Sequence, residues 1–209
     1  MKEAETAIVA VIDDDPSIRE ALRGLFEMAA LKVELYSSPS DYLQGKHLEG
    51  SSCIVLDVRL PGSSGLDFQR ELVRKGVQTP VIFLTGHADV AMGVQAMKSG
   101  AVEFLTKPYR DQALLEAVLL GIERDRARRE SEAVVSDILK RFESLTGRER
   151  QVMALAAAGE SNKQIGGKLG IGDVTARVHR RQVMHKMRAK SLTDLIRMVD
   201  LLAQRGIEA

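Results

Sequence analysis

Short apolar runs alternate with segments of helical period over the first 125 residues. Five runs rich in β-branched side chains and bounded by polar or turn residues predict strands over 8–12, 33–35, 53–56, 81–84 and 103–105. Between them, apolar side chains recur every three or four residues, which predicts helices over 16–30, 66–74, 90–98 and from Asp111 onward. The helix from Asp111 onward is counted as the fifth, because a helix without assigned bounds is expected between the second and third strands. Five strands alternating with five helices indicate a doubly wound α/β fold with a five-stranded parallel sheet covered on both faces.

The second half of the chain shows only helical patterns. Residues 121–142 are charge-rich and lack Pro and Gly after Gly121, which favours a continuation of the fifth helix as a semi-rigid connector. This connector either packs against its copy in a dimer or is a solvated helix without a partner. Apolar positions then predict helices over 147–158, 163–169, 174–187 and 192–203. The tight Gly170-Ile171-Gly172 turn indicates a helix-turn-helix.

Composition narrows the class of protein. With 44% hydrophobic and 28% charged residues, the chain resembles ordinary folded proteins, and no apolar run approaches the roughly 20 residues that cross a bilayer. The first residues lack the pattern of a secretory signal, so we expect a cytoplasmic protein without membrane contact. The single cysteine, Cys53, excludes an intrachain disulfide and a multi-cysteine zinc site.

The two halves carry opposite net charge. Residues 1–126 contain 14 Lys and Arg against 19 Asp and Glu, whereas residues 144–209 contain 12 against 6. We therefore expect an α/β domain over 1–125, a helical linker over 126–143 and a separate all-α, four-helix domain over 144–209. The basic domain is a candidate for binding a phosphate backbone.

Functional groups follow several of the predicted strands. Asp13 and Asp14 follow the first strand, Asp57 the third, Thr85 the fourth and Lys107 the fifth. The carboxyl ends of parallel strands share one edge, so we expect these groups to converge there. An all-oxygen site suits Mg²⁺ or Mn²⁺, and a phosphoryl group on Asp57 would have its charge met by metal, ammonium and hydroxyl. Taken singly, each residue would be a helix cap, a satisfied hydroxyl or a solvated amine.

Four motifs resemble the receiver domain of two-component response regulators, in the right order and over residues 7 to about 125. They are Val11-Ile12-Asp13-Asp14-Asp15, Leu56-Asp57-Val58-Arg59-Leu60-Pro61-Gly62, Leu84-Thr85-Gly86-His87 and Phe104-Leu105-Thr106-Lys107-Pro108. The resemblance implies that Asp57 accepts a phosphoryl group from a sensor histidine kinase.

The same resemblance assigns roles to the residues around Asp57. It implies Asp13, Asp14 and the Arg59 main-chain carbonyl as further metal ligands. It also implies phosphoryl sensing or switching by three residues, which are Thr85, Lys107 and Phe104. As a lone aromatic residue, Phe104 could equally belong to the core. The Lys107-Pro108 peptide is commonly cis in this family.

The basic half resembles the LuxR-type helix-turn-helix domain, so the whole chain is similar to FixJ-like members of the NarL/FixJ response-regulator group. The motifs are Leu145-Thr146-Gly147-Arg148-Glu149-Arg150-Gln151-Val152, Asn162-Lys163-Gln164-Ile165-Gly166, Val174-Thr175-Ala176-Arg177-Val178-His179 and Met184-His185-Lys186-Met187. Position 172 is Gly where the family usually has a Ser cap. Either Asp173 caps the helix predicted over 174–187 instead, or that helix starts more loosely. We expect Arg148 and Glu149 to form an internal ion pair and cap.

The helix over 174–187 is the expected recognition helix. Ala176, His179, Val183 and Met187 share an apolar stripe, which leaves other side chains to face a major groove. The expected base-side contacts are Thr175, Arg177, Val178 and Arg181. Phosphate contacts or structural roles are expected for Lys163, Arg180, His185 and Lys186.

These features predict a transcriptional regulator rather than an enzyme. Phosphorylation of Asp57 would control homodimerisation and binding to double-stranded promoter DNA, with RNA polymerase as a further partner. One alternative is an aspartate-nucleophile phosphatase, but Asp57-Val58-Arg59 lacks the second acid of its Asp-x-Asp motif. The other is a protein-interaction module, against which the basic charge and Arg177 and Arg181 argue.

Overall fold

The computed structural model describes residues 7–45, 50–86 and 89–207 and divides the chain into two compact units. The first unit ends at Arg128 and the second begins at Arg129. His87, quoted above as part of a motif, and the first six residues lie outside the described ranges.

The first unit is a parallel sheet wound with helices, as predicted. Its strands are β1 (Ile8–Ile12), β2 (Lys32–Tyr36), β3 (Cys53–Asp57), β4 (Arg59–Leu60), β5 (Ser63–Ser64), β6 (Val81–Thr85) and β7 (Glu103–Thr106). The helices are α1 (Pro16–Met28), α2 (Pro39–Gln44), α3 (Gly65–Arg74), α4 (Val90–Lys98) and the first part of α5 (Asp111–Glu143). Strand order in the main sheet is β2-β1-β3-β6-β7, with every pair parallel.

Alternate side chains of the central strands feed two cores. Ala10 and Ile12 of β1 pack into one cluster with α3 side chains, whereas Val9 and Val11 pack into the other with α1 and α5 side chains. This alternation follows from the two-residue repeat of a strand. Because both faces are covered, β1, β3 and β6 are nearly continuous apolar runs.

Three short elements have no bounds in the sequence prediction. Helix α2 is the second of the five expected helices, but its six residues are too few for a readable helical period; Ser38 caps it by accepting a hydrogen bond from the Asp41 N–H. The two-residue strands β4 and β5 pair in antiparallel fashion. Gly62 lies in the turn between them with φ 79°, a conformation that glycine adopts without steric cost.

The second unit is helical around a single apolar cluster. Helices α6 (Gly147–Ala157), α7 (Asn162–Leu169), α8 (Asp173–Met187) and α9 (Leu192–Ala203) lie within two residues of their predicted bounds. The predicted connector is continuous with the fifth helix as α5, and Ile138 and Phe142 near its end are buried in the cluster of the second unit. None of the helices in the described ranges is both long and apolar enough to span a membrane.

The start of α8 excludes one of the two expected alternatives. Asp173 does not cap this helix: it is the first helical residue, and the N-cap is Gly172, which makes no side-chain cap hydrogen bond. By contrast, Thr146 and Glu149 form a reciprocal capping box at the start of α6.

Candidate functional site

The carboxyl edge of the sheet brings the predicted acidic and basic groups together. Lys107 Nζ lies 2.7 Å from Asp57 Oδ2 and 3.0 Å from Asp13 Oδ2, so one ammonium bridges two carboxylates from neighbouring strands. Asp57 is the last residue of β3, and Asp13 directly follows β1. The convergence expected from a parallel sheet is therefore observed for Asp13, Asp57 and Lys107.

Main-chain hydrogen bonds hold these side chains in place. The Arg59 N–H donates to Asp57 Oδ1 at 2.8 Å, and the Asp15 N–H donates to Asp13 Oδ1 at 2.9 Å. The Lys107 N–H donates to the carbonyl oxygen of Thr85 at 2.7 Å, which joins the ends of β6 and β7. The Lys107-Pro108 peptide is cis, as the resemblance implies. Each carboxylate thus keeps one oxygen on the backbone and turns the other toward Lys107.

Burial and hydrogen bonding shift the pKa of Asp13 in opposite directions, and the same is true of Lys107. Asp13 is 2% exposed, and its burial raises the pKa of the carboxyl above the usual range despite hydrogen bonds from the Asp15 N–H and Lys107. For Lys107, burial lowers the pKa of the ammonium, but the hydrogen bonds to Asp57 and Asp13 outweigh burial and raise it. The ammonium is thus held in its charged form between the acids.

The oxygen groups at this edge are of the kind that Mg²⁺ or Mn²⁺ prefers. Asp14 is exposed, whereas Asp13 is buried and Asp57 is half-buried. Over the described part of the chain, no three His, Cys, Asp or Glu side chains stand close enough to hold an ion together. A cation here would therefore need main-chain oxygen, such as the Arg59 carbonyl, or water in addition to the carboxylates.

The two remaining residues predicted to switch differ in their surroundings. Thr85 is the last residue of β6 and is fully buried. Phe104 lies on β7, partly buried against the core, with its ring centroid 6.3 Å from that of Phe83. Phe104 is therefore in contact with the core in this structure.

Helix α8 presents an exposed face with the predicted base-side residues. Thr175, Arg177, Val178 and Arg181 are all exposed. Half of the Val178 surface is accessible. The Arg177 side chain is mostly solvated, and its Nη2 lies 3.5 Å from Asp173 Oδ2. On the opposite side, Ala176, Val183 and Met187 are fully buried and His179 is half-buried.

The other four basic residues fall into two groups. Lys163 and His185 are exposed. Arg180 Nη1 donates to the carbonyl oxygen of Glu160 at 3.2 Å, and Lys186 Nζ donates to Glu149 Oε2 at 2.6 Å. Arg180 and Lys186 therefore have partners within their own unit.

Comparisons with known proteins agree with both units. Residues 9–119 match the family model described as response regulator receiver domain, and residues 143–199 match the model described as bacterial regulatory proteins, luxR family. This chain belongs to the NarL/FixJ group of response regulators. The response regulator is 51% identical to nodulation protein W of Bradyrhizobium diazoefficiens, over 99% of this chain and 90% of that protein.

Two further relatives cover nearly the whole response regulator. Transcriptional regulatory protein FixJ of Azorhizobium caulinodans is 42% identical, over 93% of this chain and 92% of that protein. A low-resolution structure of the response regulator StyR has a TM-score of 0.85 and 42% identity, over 93% of this chain and 98% of that chain. The response regulator thus combines a receiver with a LuxR-type DNA-binding domain, an arrangement of transcriptional regulators rather than enzymes.

The structure of the response regulator also corrects one ion pair and adds one contact. Glu149 pairs with Lys186 rather than with Arg148, whose Nη1 instead donates to Gln151 Oε1 at 3.1 Å. Burial acts to raise the pKa of the Glu149 carboxyl, but the hydrogen bonds from Lys186 and from the Thr146 N–H hold it below the usual range. The capping motif signals Glu149, whereas no local pattern signals a lysine 37 residues away.

Arg141, near the end of α5, was absent from the predicted functional residues. Its Nη1 donates to the main-chain carbonyl oxygen of Met187 at 3.1 Å, at the carboxyl end of α8. The last turn of a helix leaves carbonyl groups without intrahelical partners, and a guanidinium satisfies one of them here. The connector therefore contacts the recognition helix directly within the second unit.

Proposed function

We propose that Asp57 accepts a phosphoryl group from the phosphohistidine of a sensor kinase. A carboxylate oxygen of Asp57 attacks phosphorus, an O–P bond forms and the P–N bond to the kinase histidine breaks. The observation that carries this proposal is the Lys107 ammonium 2.7 Å from Asp57 Oδ2 and 3.0 Å from Asp13 Oδ2. A cation already fixed at the reacting carboxylate stabilises negative charge that develops during transfer.

A divalent cation fits the oxygen donors of this edge. Asp13, Asp14, Asp57 and the Arg59 carbonyl would hold Mg²⁺ or Mn²⁺, which would supply further charge neutralisation at the phosphoryl oxygens. The residues of the chain itself orient the nucleophile, because the Arg59 N–H fixes one Asp57 oxygen. Lys107 pairs with the other oxygen and remains beside the phosphoryl group after transfer.

Phosphorylation then acts as a switch in our proposal. It replaces the single negative charge of the Asp57 carboxylate with the about 1.5 to 2 negative charges of a phosphoryl group, at an edge that already holds other carboxylates. Lys107 and the Thr85 hydroxyl respond to this charge, and Phe104 changes its packing near α4 and α5. The resulting change of surface favours homodimers, in which two recognition helices meet half-sites one turn apart, roughly 34 to 36 Å.

The second unit supplies the contacts to promoter DNA. Thr175, Arg177, Val178 and Arg181 read base edges because they share the exposed face of α8. Lys163 and His185 contact phosphates. Arg180 and Lys186 contribute positive charge to the phosphate-facing surface while they brace α8 through Glu160 and Glu149. RNA polymerase is a further proposed partner once DNA is bound.

We also propose a functional division of the chain. The receiver occupies 1–125, the helical linker 126–143 and the DNA-binding domain 144–209. Charge supports this division, since the first part is acidic and the last basic.

Intact mass after incubation with acetyl phosphate and Mg²⁺ tests the proposed phosphoacceptor. The wild type should gain one phosphoryl group, the Asp57→Asn variant none, and Asp67→Asn, an exposed acid of α3 paired with Arg70, should behave as wild type. An adduct that persists in Asp57→Asn would place the chemistry on another residue. No adduct with acetyl phosphate or with a purified histidine kinase would refute the proposal.

A further inference from the structure

The carboxyl end of the recognition helix α8 is held by the end of α5. Arg141 Nη1 donates to the main-chain carbonyl oxygen of Met187, the last residue of α8, at 3.1 Å. In the other direction, Lys186 Nζ of α8 donates to the carbonyl oxygen of Ser144, which directly follows α5, at 3.4 Å. Each helix end therefore receives a cation from the other helix. We call these four residues the α5–α8 junction.

A cation is a favourable partner for the carboxyl end of a helix. The last carbonyl groups of a helix lack intrahelical donors and form the negative end of the helix dipole. At the end of α8, local N–H groups satisfy the carbonyl oxygens of Met184 and His185. The Met187 carbonyl instead accepts its hydrogen bond from the guanidinium of α5. The junction thus completes the end of α8 with a group from another helix.

The last two turns of α5 are themselves fixed within the second unit. Arg141 Nη2 pairs with Asp137 one turn earlier, and only 21% of the Arg141 side chain is exposed. Ile138 and Phe142 on the same helix are buried in the apolar cluster of this unit. The Arg150 guanidinium lies 4.7 Å from the centroid of the Phe142 ring. The end of α5 is therefore a packed support for α8 rather than a loose tether.

Release of this junction would act unequally along α8. The amino end of α8 is tied to α7 by the three residues 170–172. Along the helix axis, Thr175 lies about 3 Å from Asp173 and Arg181 about 12 Å. If its carboxyl end were released, α8 would tilt about its amino end and displace Arg181 about four times as far as Thr175.

We propose that Arg141 is a positioning residue for DNA recognition: by holding the carboxyl end of α8, it keeps Arg181 aligned with the base edges. This inference rests on the proposed contacts of α8 with DNA. Arg141 does not touch the nucleic acid, and its effect passes through the Met187 carbonyl. The last two turns of the linker thus belong to the DNA-reading surface in function.

Substitutions at two neighbouring positions of α5 test this role. Arg141→Met keeps the apolar stem but removes the donors, and Arg141→Lys restores a charged donor. Lys140→Met is the matched control, because Lys140 is exposed and its loss removes the same charge from the same turn. Far-UV circular dichroism confirms that each full-length variant is folded before affinities are compared.

The probe is a short duplex that the wild-type chain selects from a random-sequence pool in the presence of acetyl phosphate and Mg²⁺. A scrambled duplex of the same composition is the non-specific reference. By fluorescence anisotropy, Arg141→Met should bind the selected duplex about five- to tenfold more weakly than wild type. Arg141→Lys and Lys140→Met should remain within about twofold. Arg141→Met and Lys140→Met should bind the scrambled duplex alike, because non-specific affinity depends on charge.

The salt dependence of binding separates positioning from a direct phosphate contact. Loss of one phosphate contact reduces the slope of log K against log salt concentration by about 0.9. We expect Arg141→Met to leave this slope unchanged. A slope reduced by about 0.9 would make Arg141 a phosphate contact and overturn the proposal.

Double-mutant cycles test whether Arg141 acts through the far part of α8. Combined with Arg181→Ala, Arg141→Met should lower affinity by less than the product of the two separate losses. Combined with Thr175→Ala, the two losses should multiply. If Arg141→Met does not fold, Arg141→Gln, whose shorter amide cannot span the same distance, replaces it in every comparison.

The outcomes distinguish this inference from the proposed function on which it rests. If the wild type selects no duplex, or if neither Arg181→Ala nor Thr175→Ala weakens binding, the proposed DNA-binding face is wrong and the inference falls with it. If Arg181→Ala weakens binding but Arg141→Met matches Lys140→Met, only the positioning role is refuted. Losses that multiply for Arg141→Met with Arg181→Ala refute it in the same way.

Discussion

Glu149→Gln tests how the recognition helix is fixed in the second unit. Glu149 is 3% exposed and accepts a 2.6 Å hydrogen bond from Lys186 of α8, while its Oε2 also accepts from the Thr146 N–H at 2.7 Å. Glutamine keeps an oxygen for the cap but loses the charge. Hydrogen bonds to charged groups contribute about 1.5–3 kcal/mol, and because 34% of the Lys186 side chain is exposed, solvent screening reduces the expected loss to about 1–2 kcal/mol.

The matched control is Glu160→Gln in the same unit. Glu160 pairs with Lys168, whose side chain is 55% exposed, so this pair should contribute no more than about 0.5 kcal/mol. Native-state hydrogen exchange of the full-length protein, read on peptides from α6 and α8, measures both variants without assuming a single unfolding transition. Equal exchange in the two variants would refute the reasoning. So would a double-mutant cycle with Lys186→Met that shows no coupling.

The same pair predicts a pH dependence with a definite sign. The pKa of Glu149 lies below its usual range in the folded protein because Lys186 and the Thr146 N–H outweigh burial. A carboxyl group whose pKa is lower in the folded than in the unfolded protein stabilises the fold at pH values above its unfolded pKa, which is about 4.3 for glutamate. This stabilisation is lost as the pH falls through the folded pKa. The difference in free energy of unfolding between wild type and Glu149→Gln should therefore have its full value at pH 7 and become smaller below about pH 4.3. A difference that grows on acidification would contradict this sign.

Two further substitutions test the interface and the acidic edge. Arg181→Ala should weaken promoter binding by about 1–3 kcal/mol, as measured by fluorescence anisotropy at fixed salt. The control, Arg197→Ala on α9, should change binding far less. Equal losses in the two variants would contradict the placement of α8 in the groove. Gly65→Ala would set a Cβ 2.5 Å from the Asp57 carbonyl oxygen. We therefore expect the free energy of unfolding, measured by thermal unfolding, to fall by at least about 1–3 kcal/mol, and Asp57 to be phosphorylated more slowly. An unchanged Tm would show that this backbone contact can relax.

The acidic edge was predictable because parallel topology leaves few choices. Once β1, β3, β6 and β7 are recognised as parallel, their carboxyl ends must share an edge, and Asp13, Asp57 and Lys107 follow. The end of the third strand differs from the prediction by one residue. The sequence places Asp57 just beyond this strand, whereas in the structure Asp57 is its last residue, because it pairs in register with Leu84.

Contacts between distant helices were not predictable in the same way. The Thr146 and Glu149 cap follows from a spacing of three residues, which sequence displays directly. The partner of Glu149 and the acceptor of Arg141 depend on how α5, α6 and α8 cross, and this geometry is set by side-chain packing. The expected pair of Arg148 with Glu149 was wrong for this reason, since Lys186 reaches the carboxylate across the helix pair.

Helix α5 limits how domains of this kind can be exchanged between proteins. Leu114 and Val118 near its start belong to the core of the first unit, whereas Ile138 and Phe142 near its end belong to the core of the second. A chimera joined at 143/144 would deprive the transplanted DNA-binding domain of two buried side chains. Each loss typically lowers the free energy of unfolding by about 2–5 kcal/mol. A joint between Arg128 and Ile138, made in whole helical turns, leaves both cores complete, so this short exposed stretch is where recombination can pair one receiver with another output domain.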